Sequence, residues 1–405
     1  MKVAVMGYGT VGSGVVEVIE NHQKSISKRI GGDSLEVGYI LDLRDFPNDS
    51  HQALFTKDFN DILNDKDVKV VAEAMGGVNP AYDFTMKLLK AGKSVVTSNK
   101  ELVAQKGLEL LRTAKENNVN YLFEASVGGG IPIIRPMAQC LVANNVEGVA
   151  GILNGTTNFI LTKMIEDDMT FKDALKLAQE NGYAEKDPTA DIEGFDACRK
   201  VCILASLAFG KQVYPNQVSC EGITKITLED VSYIQSIDGV IKLLGQIKYI
   251  SDDEIAAFVS PAVVFNGSQL ASVKGVFNAI LVRGDAVGDV CFYGQGAGKE
   301  ATASAVVADM VDCAVHSEKR RNFGWDEGSE NYVVDEKATI EMRFYVRAKA
   351  SESKIKSALN EVKFLTRIGQ PSNEVAFITD KMTQNKLYEK LNGIEVLNII
   401  KVTNY

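Results

Sequence analysis

The stretch Ala178–Lys200, AQENGYAEKDPTADIEGFDACRK, gathers Glu185, Asp187, Asp191, Glu193, Asp196 and Lys200 around Gly182, Pro188 and Gly194, directly before the apolar run VCILASLAF. That run is apolar on nearly every face, the pattern of a helix enclosed all round. Charges at the mouth of such a helix need partners or a ligand, because stranding an ion out of water is costly. Asp196 and Lys200 stand four apart and share a helical face, and Asp191 lies in the turn just before them. Acids placed this way can hold an ammonium group, and a lysine among them can stabilise and protonate a developing oxyanion. The plainer reading is an exposed helix pair contributing about 0.3–0.5 kcal/mol, but the run that follows offers no wet face for it.

Chemistry of this kind has to be positioned, and the N-terminal part of the chain supplies a second set of signals. Lys2–Met6 is a short valine-rich run, followed at once by Gly7-Tyr-Gly9-Thr-Val-Gly12 and the helical pattern VVEVIE. Strand, glycine turn and helix together make a dinucleotide fingerprint. Gly7 permits the turn, Gly9 lets the backbone approach a pyrophosphate, and Gly12 allows close helix–strand packing. A second strand, Glu36–Leu41, runs into Asp42, Arg44 and Asp45. An acid there accepts the ribose hydroxyls of NAD, and an arginine suits the extra phosphate of NADP. The sequence offers both, and a merely solvated loop would carry the same charges.

Further strands are expected at Val68–Ala72, Ser94–Thr97 and Val119–Phe123, with a helix at Ala81–Lys90 between the first two. Strands alternating with helices specify a parallel, doubly wound α/β sheet whose ligands collect at the carboxyl ends of the strands. Lys100 follows one such end, and a cation at a helix start is disfavoured unless an anion is near. Glu124-Ala-Ser-Val127-Gly-Gly129-Gly-Ile131 reads as a tight crossing of the chain.

From about Pro136 the pattern changes. Val146–Leu153 is expected as a strand closing on Asn154-Gly-Thr-Thr-Asn158, good capping residues for a helix Phe159–Glu166. Beyond the acidic signature, Lys242–Ile250 and alternating segments such as AFVSPAVVF read as antiparallel strands. Gly294-Gln-Gly296-Ala-Gly298 then opens a helix rich in Ala and Val, an anion-friendly start. The acidic segment 325–336 reads as a linker, and the last 70 or so residues follow the order strand, helix, strand, strand, helix, strand, a ferredoxin-like split βαβ.

The chain of 405 residues is long enough for two or three domains. Its net charge of −9 argues against nucleic acid and anionic membrane as partners. Six cysteines without a CxxC, and only three histidines, speak against zinc and for reduced thiols in a cytosolic protein. No apolar span of membrane-crossing length occurs.

GYAEKDPTADIEGFDACRK resembles the signature of the homoserine dehydrogenase family, a Gly-Tyr/Phe-x-Glu…Asp-Pro…Asp…Gly-x-Asp…Lys frame. The LNGTTN, Thr-x-Asn-Lys and Gly-x-Gly-Ala-Gly elements resemble it in the same order; the family usually has proline where Glu300 stands. The resemblance implies NAD(P)-dependent interconversion of L-aspartate 4-semialdehyde and L-homoserine in threonine, methionine and isoleucine biosynthesis. It implies Lys200, Asp191 and Lys100 as catalytic residues, and Glu185, Asp196, Tyr183, Gly155 and Thr156 as substrate-binding ones. The cofactor would meet Gly7, Gly9, Thr10, Val11, Gly12, Asp42, Arg44, Thr97, Ser98, Lys100, Gly182 and Gly298. A sodium ion would be held by Glu124 and by carbonyls of Val127, Gly129 and Ile131, oxygen ligation suited to a hard cation.

The implied division is a Rossmann-type nucleotide domain at 1–135, to which 292–320 returns, a substrate and oligomerisation domain at 136–291, a linker at 321–336 and an ACT-like domain at 337–405. A cytoplasmic homodimer or homotetramer is expected. Another amino-acid or semialdehyde dehydrogenase and a catalytically inactive nucleotide sensor are the alternatives; an acylating dehydrogenase would need an activated cysteine, which none of the six has in evidence. In ACT domains a short Asp-x-x-Gly turn after the first strand serves the effector. The matching segment, Ala348–Ile355, has neither aspartate nor glycine, so weak or absent inhibition by threonine is expected.

Overall fold

A computed structural model of the chain describes residues 1–317 and 319–405, which fall into two compact units. The first comprises Met1–Ala143, Cys202–Pro215 and Gly294–Gly328; the second comprises Asn144–Val201, Asn216–Tyr293 and Ser329–Tyr405.

In the first unit β1 (Lys2–Met6), β2 (Glu36–Leu41), β3 (Phe55–Thr56), β4 (Val68–Glu73), β5 (Ser94–Thr97) and β6 (Tyr121–Leu122) form a six-stranded sheet in the order β3-β2-β1-β4-β5-β6. All of its ladders are parallel. Parallel strands are covered on both faces, so they read as continuous apolar runs, and Val3, Ala4, Val5 and Met6 are fully buried. The helix Lys299–Val315 returns to this unit and packs beside Thr10–Asn21 at Gly14. A Cβ on Gly14 would come within 2.9 Å of the Lys299 Cγ and 3.1 Å of the Ala303 Cβ, so glycine sets this close approach. The last strand is shorter than the expected Val119–Phe123, because the chain already turns at Glu124–Ser126, where the Glu124 amide donates to the buried Asp309.

The second unit holds β7 (Val146–Ile152), β8 (Ser219–Cys220), β9 (Gly239–Ser251), β10 (Glu254–Phe265), β11 (Phe277–Gly284), β12 (Gly288–Gln295), β13 (Arg343–Lys349), β14 (Val362–Leu365), β15 (Glu374–Thr379) and β16 (Glu395–Val402). They join in one ten-stranded sheet, β12-β11-β7-β9-β10-β16-β13-β15-β14, with β8 paired to β10. One core lies over β7, β9, β10 and β11, around Ala150, Ile152, Leu244, Ala262 and Leu281. The C-terminal elements follow the expected order, with helices Glu352–Ala358 and Gln384–Lys390, and have a core of their own around Phe344, Ile355, Phe377 and Leu387. That module does not stand apart. β16 runs parallel to β10 through Ala262↔Lys401 and Val263↔Val402, which makes its sheet continuous with the central one.

The segment 321–336, expected as a linker, is packed at both ends. Trp325 is 6% exposed in the first unit, 5.7 Å from the Phe123 ring, and Tyr332 is 1% exposed in the second, where its carbonyl accepts from Ile255. Its acidic composition signalled a solvated spacer, but two aromatic side chains anchor it. Among the described residues no helix is long and apolar enough to cross a membrane.

Candidate functional site

In the second unit the start of the helix Phe195–Phe209 carries Asp196 and Lys200, 5% and 7% exposed. The Lys200 ammonium donates to Asp196 Oδ2 at 2.7 Å and to the Leu153 carbonyl at 2.6 Å. The Asn154 amide donates to the same Asp196 oxygen at 2.9 Å and to Asp191 Oδ1 at 2.7 Å. Its own Oδ1 accepts from the Thr157 amide at 2.9 Å and so caps the helix Gly155–Glu166. The cap explains why this helix begins four residues before the expected Phe159. A strand end, a helix start and a second helix thus converge on one amide.

The surrounding turns are fixed by close contacts. Asp191 sits on the short helix Thr189–Ile192, which rests on Gly222; a Cβ there would fall 2.1 Å from the Ile192 carbonyl. Gly155 lies under the Val276 carbonyl, with 2.6 Å for any added Cβ. Thr156 donates to the Tyr183 carbonyl at 2.6 Å, and the Tyr183 ring meets Phe159 edge-on. Gly182 takes φ +73° in that turn, where glycine is favoured. Glu185 is exposed on the same loop, outside the hydrogen-bonded group of Asp191, Asn154, Asp196 and Lys200.

In the first unit Gly7 adopts φ +88°, and a Cβ on Gly12 would lie 1.8 Å from the Gly7 carbonyl. Gly9 has open space around its Cβ position, at the N-terminus of the helix Thr10–Asn21. The fold therefore demands Gly7 and Gly12, whereas Gly9 leaves a clear approach to amides that suit a phosphate. Thr10 is exposed and Val11 half-buried on that first turn.

Asp42 accepts from the Tyr8 amide at 2.7 Å and takes the Arg44 guanidinium two-pronged, at 3.0 and 2.8 Å. The Arg44 fork holds the Asp42 carboxyl down to about 2, against the opposing effect of its partial burial. Beside the pair opens a cleft of about 370 Å³ walled by Phe46, Phe55 and Lys57. At the carboxyl end of β5, Thr97 donates to the buried Glu73 at 2.6 Å, and Glu73 also accepts from the Met75 amide at 2.8 Å. Burial pushes the Glu73 carboxyl above its usual range while these donors pull the other way. Ser98 and Lys100 follow, both half-buried, Lys100 on the first turn of the helix Lys100–Glu116 that Asn99 caps. Gly298, at φ +124°, caps the helix Lys299–Val315.

The Glu124 carboxylate is nine-tenths buried and accepts the backbone amides of Ile133, Ile134 and Arg135 at 2.7–2.8 Å. Filled this way, it ties the loop containing Val127, Gly129 and Ile131 to the chain beyond. No cluster of three or more His, Cys, Asp or Glu suited to a metal occurs among the described residues.

Two participants escape a reading by residue type. Asn154 looks like a helix cap, which it is, and only the fold shows that its amide also joins Asp191 to Asp196. Glu73 looks like the polar end of a strand, and the parallel neighbour β5 turns it into the partner of Thr97. The signal for each was the same, a polar residue at the carboxyl end of a strand.

Sequence models of known families match most of the chain: homoserine dehydrogenase over residues 132–311, and the homoserine dehydrogenase NAD binding domain over residues 7–124. The homoserine dehydrogenase of Bacillus subtilis (strain 168) is 42% identical over 313 residues, 77% of this chain and 72% of that protein. That of Mycobacterium tuberculosis (strain ATCC 25618 / H37Rv) is 41% identical over 352 residues, 85% and 79% of the two chains. Among solved structures, a homoserine dehydrogenase from Thiobacillus denitrificans superposes with a TM-score of 0.88 at 33% identity, covering 100% of this chain and 98% of that one. A hyperthermophilic archaeal homoserine dehydrogenase in complex with NADPH gives 0.67 at 29% identity, over 80% of this chain and all of the other. With matches this long in both halves, and the fingerprint turn and the buried lysine cluster each intact, the chain belongs to the homoserine dehydrogenase family.

Proposed function

We propose that Lys200 is the proton donor in the reaction of this family, the NAD(P)-dependent interconversion of L-aspartate 4-semialdehyde and L-homoserine. Bound nicotinamide supplies or accepts the hydride. When hydride adds to the C4 aldehyde carbon, the carbonyl oxygen becomes an alkoxide; the Lys200 ammonium gives it one proton and is left a neutral amine, which regains a proton from solvent. In the oxidative direction the neutral amine takes the hydroxyl proton as hydride leaves the same carbon. The observation that carries this reading is the ammonium fixed between Asp196 at 2.7 Å and the Leu153 carbonyl at 2.6 Å in a buried setting.

Asp196 and Glu185 are assigned to the substrate ammonium, Glu185 from its exposed loop, with Tyr183 beside them. The substrate carboxylate suits Gly155 and Thr156, at a helix N-terminus. Asp191 orients the group through Asn154, and Lys100 is the second cation of the reaction. For the cofactor, Gly7, Gly9, Thr10, Val11 and Gly12 hold the pyrophosphate, Asp42 and Arg44 read the ribose, and Thr97, Ser98, Gly182 and Gly298 line the remainder. A sodium ion is assigned to Glu124 and the backbone carbonyls of Val127, Gly129 and Ile131. A homodimer or homotetramer in the cytoplasm is the assembly assigned to the enzyme.

The test is homoserine oxidation followed by reduced-cofactor absorbance, in sodium and in potassium buffers. Lys200→Ala should lose several orders of magnitude in kcat while binding reduced cofactor as the unaltered enzyme does. Near-full turnover in that variant would refute the assignment.

A further inference from the structure

In the second unit, lined by none of the residues assigned above, a cavity of about 330 Å³ opens where β9 and β11 of the central sheet meet β13 and β16 of the C-terminal module. Its walls are cationic. Lys248 comes from β9, Arg283 from β11, Arg343 from β13 and Lys401 from β16, with Lys381 at the exposed rim, against only Glu147 and Glu341.

Two of these cations are already engaged. Arg283 forks onto Asp289 at 2.6 and 2.8 Å, and Arg343 donates to the Asn404 side chain at 3.2 Å. The lysines differ. The Lys248 side chain has no hydrogen bond or ion pair among the described residues, and Lys401, 6% exposed, has its ammonium 4.0 Å from Glu336 and 5.4 Å from the centre of the Phe258 ring. Gln246 also lines the cavity; it is 2% exposed, and its Nε2 is buried without a hydrogen-bond partner. Gln246 and Lys248 are two apart on one strand and so present their side chains to the same face.

A buried amide donor without an acceptor is uncommon in a folded protein. Two poorly paired ammonium groups beside it make the combination one of donors and positive charge seeking an acceptor. We infer that this cavity binds a small oxyanion, the carboxylate or phosphate group of a metabolite, with Gln246 Nε2, Lys248 and Lys401 as its principal donors. Burial, and then repulsion from Lys381 and Arg283, hold Lys248 below the ordinary lysine range, and burial does the same for Lys401. A bound anion opposes both shifts by favouring the charged ammonium. Because Glu147 lies near the start of β7, whose end at Ile152 leads directly into Leu153 and Asn154, an occupant touches the strand that leads to the Lys200 acceptor and the C-terminal module at once. The inference is independent of the catalytic roles proposed above.

The experiment uses the full chain saturated with NADP, so that the phosphate-binding turn of the nucleotide unit is filled. Inorganic phosphate and, separately, succinate are titrated by calorimetry at constant ionic strength in a chloride buffer, and Tm is followed in parallel. Saturable binding of at least one of them, with a rise in Tm, is expected. Lys248→Met should raise the Tm of the anion-free protein, since a half-buried unpaired ammonium is removed, yet weaken anion binding roughly tenfold or more; Lys248→Arg should keep most of it. Lys401→Met and Gln246→Leu give independent readings of the same loss. Phosphate alone binding would name the phosphate group as the ligand, and succinate alone the carboxylate. No saturable binding of either, or binding of equal strength in wild type, Lys248→Met and Lys401→Met, would overturn the proposal.

Discussion

At the scale of single residues, the molecule uses polar groups in more than one capacity. Asn154 caps a helix with its oxygen and links two aspartates with its nitrogen, so the amide that starts the helix also sets the site. Arg44 is likewise shared. Its guanidinium neutralises Asp42, which also accepts from the Arg44 amide and from the Tyr8 amide in the fingerprint turn. On the proposed assignment, a 2′-phosphate competes with Asp42 for the guanidinium, and a 2′-hydroxyl competes with the guanidinium for Asp42. Arg44→Ala should therefore raise KM for NADP well over tenfold and leave NAD nearly unchanged, because guanidinium recognition of phosphate is lost only for the phosphorylated cofactor. Asp42→Ala should shift preference towards NADP by freeing the fork and removing a like charge. Steady-state constants for both cofactors check this, and equal effects on both would show that neither side chain reads the ribose.

At the scale of elements, the glycines of the fingerprint separate into two kinds. Gly12→Ala drives a methyl group into the Gly7 carbonyl, so the first unit should lose several kcal/mol of stability or fail to fold. Gly9→Ala meets nothing of the protein, and its Tm should fall by no more than a degree or two. The same methyl nonetheless occupies the approach to the helix N-terminus, and cofactor affinity should drop by about two orders of magnitude. Thermal melts with and without NADPH distinguish the cases; a Gly9→Ala enzyme that binds cofactor normally would refute the placement of the pyrophosphate. The strands β1, β2, β4 and β5 were legible to within a residue, since buried parallel strands are short, apolar and punctuated by glycine, whereas the two-residue edge strand β3 carried no such pattern. The start of the helix Gly155–Glu166 was not, because Gly and Thr are weak helix formers and only the Asn154 cap and the contact with Val276 commit them.

At the scale of the whole chain, the C-terminal module is joined to the central sheet by more than a shared strand pair. Asp230, fully buried on the helix Leu228–Gln235, accepts from Arg347 at 2.8 Å, Tyr345 at 3.0 Å and Asn398 at 2.7 Å; Glu374 accepts from Arg347, Arg367 and Tyr233. A buried network of this kind is sensitive to the loss of one partner. Asp230→Ala should cost about 3–5 kcal/mol, measured by denaturation, while cofactor binding to the first unit persists in buffer without denaturant. A change under 1 kcal/mol would show that the network carries little of the junction. The same coupling makes deletion of the module a poor test of regulation, since it would strip β10 of its neighbour. Threonine titration of the intact enzyme serves instead. The turn after β13 is closed by Ser351, which caps the next helix, without the glycine that would admit an effector to the backbone. No inhibition at micromolar threonine is expected, and potent inhibition would place an effector site on other residues.

The sequence by itself determined the fingerprint turn and the strands β1, β2, β4 and β5 of the nucleotide unit, the buried helix that carries Asp196 and Lys200, and the order of the C-terminal elements. Each of these rests on local rules: glycine geometry, period of the apolar pattern, and charges four apart on a helix. What only the tertiary structure decided were the partners. That Lys200 donates to the Leu153 carbonyl, that Glu124 accepts three backbone amides from beyond its loop, and that Lys248 and Gln246 share a cavity with Arg343 and Lys401 are relations between residues of different elements. Periodicity states which side of an element is buried, but not which element covers it, and pairing across the sheet supplied that information here.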